Sequence, residues 1–149
     1  MTTIAELVRA RFGLETEAGA GWEADGGSAT LAGLLNRRSS RRYTDEPVPD
    51  ELLEVLLAGA QSAPTKSNLQ QYSIVVVSDP DQRRALAALC PDTRQLETCA
   101  LFLVFCADLR RNRWIGGFRG RPNDNDNMDN FLNATVDAAL VMQCFITAA

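Results

Sequence analysis

Apolar positions along the chain switch between helical spacing and short unbroken runs. Ile4, Leu7, Val8 and Phe12 fall on one helical face, and Gly13 follows as a stop, which predicts a short amphipathic helix that packs without chemistry of its own. Residues 15–27 lose the period. They are acidic and rich in Gly and Ala, with Trp22 the one large anchor, and read as a linker or surface-hugging loop. From Ser28, a candidate N-cap, Leu31, Leu34 and Leu35 predict a second short helix. Asp50 stands where it can cap a third. Glu51 and Glu54 suit the positive first turn of that helix, and Leu52, Leu53, Leu56, Leu57 and Ala60 form its apolar stripe. Pro64 cannot continue the helix and biases Ala63 toward an extended backbone, so the chain is released into residues 65–71.

The β-branched run Ile74-Val75-Val76-Val77 shows no alternation and predicts a strand buried on both faces. Asp79-Pro80 opens a helix through Leu89, with Pro80 at its first position. Leu101 to Cys106 is a second buried run, closed by Ala107-Asp108. Arg110 to Asn127 turns to Arg, Gly, Asn and Asp, with Trp114 and Phe118 inside, and reads as a long loop of the kind that forms lids or binding segments. Met128, Phe131, Leu132, Thr135, Val136, Ala139 and Leu140 then mark a helix over residues 128–149. It is apolar on nearly every side from Ala134, and so belongs in a core or between subunits. Asp137 within it needs a partner, and a structural hydrogen bond is the expected one. No Gly, Pro or basic residue caps this helix, so the chain reads as ending within an element. Two buried strands separated by a helix predict an α/β or α+β fold, with residues 1–27 as an arm and residues 28–149 as the main domain.

Composition narrows the function. With 149 residues and 46% hydrophobic content the chain can bury a sizeable core, and a net charge of −4 argues against a general binder of nucleic acid or acidic membranes. No histidine is present, which removes Ser-His-Asp and Cys-His catalysis and the usual histidine zinc sites. Cys90, Cys99, Cys106 and Cys144 show no paired spacing. Cys106 and Cys144 lie in apolar runs and are expected as buried thiols in a reducing compartment. Residues 1–12 carry Glu6, Arg9 and Arg11 and lack the apolar core of a signal peptide, and no stretch approaches roughly 18 uninterrupted apolar residues. These features predict a cytoplasmic protein. There is no internal repeat, G-x-G-x-x-G or P-loop. The run Asp124 to Asp129 fails as an EF-hand because Met128 takes the fifth place and Thr135 the twelfth. The Arg-Gly pairs near Arg119 are too few, and too close to acidic residues, for an RNA-binding tract.

The stretch Leu34 to Tyr43 carries the candidate chemistry. Arg37-Arg38-Ser39-Ser40-Arg41-Arg42 places guanidinium forks, hydroxyls and backbone N–H groups within one turn, which suits a phosphate; a solvated basic turn at a helix end has the same composition. It is followed by Thr44-Asp45-Glu46-Pro47-Val48-Pro49-Asp50-Glu51 and then by Ala63-Pro64-Thr65-Lys66-Ser67-Asn68-Leu69-Gln70. In this order the segments resemble the FMN-dependent nitroreductase family: an Arg-Arg-Ser-x-Arg turn, an acidic helix after Pro-x-Pro, then Ala-Pro-Ser-x-x-Asn-x-Gln. Val104 to Arg110 resembles the family's larger NADPH-preferring nitroreductase and flavin-reductase branch, and Val136 to Leu140 its long central helix.

The resemblance covers Leu34 to Ala149. It implies an α+β fold with a central, mostly antiparallel sheet packed among helices, and an intertwined homodimer with two FMN molecules in the interface. Carried over, Arg37, Arg38, Ser39 and Arg41 surround the FMN phosphate and ribityl chain, while Pro64, Thr65, Lys66, Asn68 and Gln70 line the flavin from the partner subunit. The implied function is an FMN-dependent NAD(P)H oxidoreductase that reduces nitroaromatics, quinones or flavins by ping-pong hydride transfer, with no catalytic side chain. The alternatives are a specialised flavin enzyme of the same fold, of dehalogenase or flavin-destructase type, or a non-catalytic anion-binding fragment. Thr65 stands where the family has Ser, and Gln71-Tyr72 replaces the common Pro-Trp. The family's later Gly-Leu-Gly segment and basic pair are not in this sequence, so the expectation is an N-terminal part of a longer protein.

Overall fold

The computed structural model describes residues 2–13, 15–44, 46–90, 95–122 and 127–149. Two compact units divide between Arg41 and Arg42.

The first unit is built on α1 (Ile4–Phe12) and α2 (Ala29–Asn36). Thr3 and Glu6 close a reciprocal capping box at the start of α1: the Thr3 N–H donates to Glu6 Oε2 at 2.9 Å and the Glu6 N–H to Thr3 Oγ1 at 3.3 Å. Gly13 ends the helix in the left-handed conformation, as expected of a stop glycine. Ile4, Leu7 and Ala32 form the core of the unit, with Val8, Ala24 and Leu35 against it. The sequence boundary at 27/28 therefore falls inside this unit, because α2 packs on α1. The intervening segment is held by its backbone. The Ile4 N–H donates to the Trp22 carbonyl at 2.9 Å, while the Trp22 side chain, expected as an anchor, is 58% exposed. Gly19 is required here, since a Cβ would sit 3.0 Å from Ile4 and its φ is +80°. Ser28 occupies the N-cap position of α2 without a side-chain capping bond, because a 3-10 turn over Gly26–Ser28 already leads into the helix.

The second unit runs α3 (Asp50–Gln61), β1 (Tyr72–Val76), α4 (Pro80–Ala88), α5 (Gln95–Thr98), β2 (Leu103–Ala107), α6 (Arg110–Phe118) and α7 (Met128–Ala148). Asp50 does not cap α3. Pro49 holds the N-cap position and Asp50 is the first helical residue, where its charge still suits the helix dipole. Asp79 does cap α4, accepting from the Gln82 N–H at 2.8 Å, with Pro80 behind it. The strands pair antiparallel, with Tyr72 opposite Ala107 and Ile74 opposite Phe105.

One cluster organises this unit: Ala60 and Ala63 at the end of α3, Tyr72 on β1, and Ala138 and Val141 on α7, with Ile74, Phe105, Cys144 and Phe145 packed around them. Small residues let α3 and α7 approach closely, and Phe105 meets Phe145 edge-to-face at 5.8 Å. Two expectations fail here. The strands are not buried on both faces: α7 and the cluster cover the side of Tyr72 and Ile74, Val75 on the other face is 46% exposed, and Val76, on the covered face but outside the cluster, is 41% exposed. Residues 110–127 are not one loop, since Arg110–Phe118 is helical and Trp114 stacks on Phe118 at 5.9 Å, one turn apart. In the run once weighed as an EF-hand, positions 124–126 lie outside the described residues, and Asn127 caps α7 by accepting from the Asn130 N–H. Cys106 and Cys144 are half-buried rather than buried, while Cys99 is buried.

Among the described residues α7 has the length and apolarity of a membrane span. One of its faces nonetheless packs on α3 and the strands and carries the buried Asp137.

Candidate functional site

Residues 64–71 form the best-defined candidate site. Lys66–Asn68 makes a single 3-10 turn, and Ser67, Asn68 and Gln70 all adopt left-handed backbone, with φ of 52°, 54° and 49°. Each such non-glycine residue costs on the order of 1 kcal/mol, so the surroundings must impose the shape. The source is Asp137, on the buried face of α7 and only 1% exposed. Its Oδ1 accepts the Lys66 N–H at 3.0 Å and its Oδ2 the Gln71 N–H at 3.1 Å. One carboxylate thus holds both ends of the loop. Inside it, the Gln70 N–H reaches Thr65 Oγ1 at 3.3 Å, so the hydroxyl kept by Thr65 in place of Ser is used.

Helix α6 holds the loop's carbonyls from the other side. Asn112 Nδ2 donates to the Leu69 carbonyl at 3.0 Å, and the Arg111 guanidinium donates to the Gln70 carbonyl. With the backbone fixed from two elements, the side chains of Lys66, Asn68 and Gln70 are left exposed. Asn68, Leu69 and Gln70 form one wall of an open cleft of about 610 Å³, and Arg111, Asn112, Ile115, Arg119 and Arg121 line the other. Gln70 and Arg111 also border a second hollow of about 320 Å³, reaching Tyr72, Ser73 and Ile74.

Gln71 behaves differently from its neighbours. Its side chain is fully buried, with Nε2 3.5 Å from Asn130 Oδ1 and Oε1 without a partner among the described residues. Its N–H serves Asp137 and its carbonyl accepts from the Asp108 N–H at 3.0 Å. Where the family commonly has proline, no N–H is available, so the second Asp137 bond depends on the glutamine that stands here. Just beyond, Asp108 closes the strand pair. It accepts from Ser73 Oγ at 2.6 Å and from the Arg110 N–H at 2.8 Å. The Ser73 hydroxyl first, then the Arg110 backbone and guanidinium, hold its carboxyl down at about 2.

The arginine turn lies in the first unit. Residues 37–41 follow α2 without regular structure and are exposed. Arg38 Nη1 donates to the carbonyls of Leu35 and Arg37, both at 2.9 Å, and Arg11 Nη1 reaches the same two carbonyls at 3.2 and 2.6 Å. Two guanidiniums therefore satisfy the open C-terminal carbonyls of α2.

The predicted residues thus fall into two groups, Arg37, Arg38, Ser39 and Arg41 in one unit and Pro64, Thr65, Lys66, Asn68 and Gln70 in the other. The sequence reading flagged Asp137 as needing a partner and did not connect it to the loop, 71 and 66 positions away. Arg111 and Asn112 were missed, because the segment holding them read as loop.

Residues 34–149 match the Nitroreductase family. Among similar sequences, "FMN reductase (NADPH)" of Bacillus subtilis is 37% identical over 122 residues, covering 80% of this chain and 49% of that protein. "Oxygen-insensitive NADPH nitroreductase" of Salmonella typhimurium is 36% identical over 123 residues, covering 82% and 49%. Among solved structures, the NfrA1 nitroreductase from B. subtilis superposes with a TM-score of 0.76 at 36% identity, over 80% of this chain and 49% of that one. The NADPH:FMN oxidoreductase from Vibrio harveyi, complexed with NAD+, superposes with a TM-score of 0.74 at 32% identity, over 80% and 50%. The chain spans about half the length of the curated relatives it matches.

Proposed function

The chain belongs to the nitroreductase family, and from that premise we propose that it serves an FMN-dependent NAD(P)H oxidoreductase acting on nitroaromatics, quinones or flavins in the cytoplasm. The observation that carries this reading is the 64–71 loop, whose backbone is fixed at both ends while Lys66, Asn68 and Gln70 stay exposed. An ammonium and two carboxamides on a rigid frame suit the alternating oxygens and nitrogens of an isoalloxazine ring. The turn Arg37, Arg38, Ser39 and Arg41 supplies the exposed cationic forks a phosphate needs. The residues present fit the cofactor.

Bound there, FMN would supply the redox chemistry, taking hydride from NAD(P)H and serving the second substrate in turn in a ping-pong sequence. The protein's part is to bind and orient. Lys66, Asn68 and Gln70 hold the ring, Thr65 keeps the loop closed through its hydroxyl, Pro64 turns the chain out of α3, and the arginine turn holds the phosphate. No side chain is assigned as a proton carrier.

A homodimer belongs to the same proposal. Phe131, Leu132, Val136 and Met142 lie on the face of α7 opposite its core contacts and are exposed. A second copy of this chain is the occupant the family premise supports for that face.

The test is spectroscopic. Protein carrying this chain, purified from cells, is expected to be yellow with the absorbance of oxidised flavin. Titrating the apoprotein with FMN should show Arg38→Ala binding roughly ten- to a hundredfold more weakly, the loss of one charge-assisted contact. A colourless protein that takes up no FMN overturns the reading, and an unchanged affinity in the variant places the phosphate elsewhere.

A further inference from the structure

We propose that Asp137, assisted by Asn112, is a positioning residue of the flavin site: it sets the conformation of the 66–71 loop from behind without touching the ligand itself. The inference rests on the reading of that loop as flavin-facing.

Three observations converge on it. The loop holds left-handed backbone at Ser67, Asn68 and Gln70, a set of conformations that relaxes unless something enforces it. The enforcing contacts come from outside, with the Asp137 carboxylate taking the N–H groups of Lys66 and Gln71 and Asn112 holding the Leu69 carbonyl. Asp137 is itself buried, and a carboxylate out of water is tolerated only where donors meet it. The loop so held carries Lys66, Asn68 and Gln70, the residues assigned to the ring, with their side chains exposed.

The Asp137–Gln71 bond is also particular to a chain with a non-proline residue at that place. Here Gln71 supplies an N–H that proline lacks. The loop therefore depends on the carboxylate at both ends.

The variants follow from donor chemistry. Asp137→Asn keeps the shape of the side chain, but its amide nitrogen faces an N–H donor, so one end of the loop loses its acceptor. Asn112→Ala releases the Leu69 carbonyl from a half-buried helix position and leaves the α3–α7 core intact. Both are read in protein carrying this chain, by FMN titration of the apoprotein, by the absorbance of the bound flavin, and by amide hydrogen exchange of the ligand-free protein.

For Asp137→Asn the expected result is FMN affinity lower by roughly ten- to a hundredfold, with a displaced flavin absorbance maximum. Exchange should be faster at Lys66 or Gln71, while the neighbouring turns of α7 keep their protection. Asn112→Ala should change affinity and spectrum in the same direction by less, and it carries the test alone if Asp137→Asn does not fold. Wild-type affinity and spectrum in the variants that fold overturn the proposal, as does a loss of affinity with no change in loop exchange. Absence of flavin binding in the wild-type protein overturns the functional reading instead, and that result is distinct from either.

Discussion

At the scale of single residues, charge and hydrogen bonding decide what the site region tolerates. Asp108 shows the sign most simply. The Ser73 hydroxyl and the Arg110 backbone and side chain hold its carboxyl at about 2, against an ordinary value of 3.8. Because the native value is the lower one, the unfolded chain takes up the proton first on acidification. Stability from this group is present above about pH 4 and is lost as pH falls toward 2. Ser73→Ala removes the largest contribution. It should destabilise the protein by about 1 kcal/mol at neutral pH, and urea titrations repeated at decreasing pH should show that difference shrinking between pH 4 and pH 2. A penalty independent of pH would mean that Ser73 acts through packing rather than through the carboxylate. The same reasoning explains why Asp137 was legible only as a question. A charged residue in an apolar helix announces that it has a partner, but backbone N–H groups exist at every position and leave no mark in the residue pattern.

At the scale of elements, legibility followed local chemistry. Helices α1, α4 and α7 were readable from local signals: the apolar period and Gly13, Asp79 with Pro80, and the repeat from Met128 to Leu140. Helix α6 was not, since Arg110–Phe118 opens on Arg110-Arg111-Asn112-Arg113 and contains Gly116-Gly117, and it is held through contacts of Arg111 and Asn112 to a distant loop. The strands were placed well, but their burial was misjudged, because a β-branched run states a preference for the pleated backbone and not how many faces are covered. The α3–α7 contact makes a quantitative point. Val141 is fully buried among Ala60, Ala63, Tyr72 and Ala138. Val141→Ala should lower stability by about 2 kcal/mol, the loss of two buried methyl groups and their packing. The measurement is the urea midpoint at unchanged slope. A shift near zero would mean that the helices close over the gap.

At the scale of the whole molecule, α7 carries two apolar faces and the described residues of the chain cover one of them. The sequence reading placed this helix in a core or between subunits, and the two faces leave room for both. If a second copy covers Leu132 and Val136, Val136→Asp should convert a dimer to a monomer on size-exclusion chromatography. Burial of each large side chain is worth roughly 1.5–3 kcal/mol and a buried unpaired carboxylate opposes it. An unchanged elution volume would assign the dimer contact to another surface.

The long reach between the loop and its carboxylate also sets an order in time. Lys66 lies 71 positions ahead of Asp137 in the chain, and at about 5–20 residues per second the ribosome takes roughly 4–14 s to add that distance. The loop therefore leaves the synthesis machinery complete in sequence but without the contact that gives it shape. Local helices such as α3 and α4 have that interval to form, while the 66–71 segment waits. Its maturation is a late, non-local event, and a nascent chain stopped before Asp137 carries Lys66, Asn68 and Gln70 in an unset backbone.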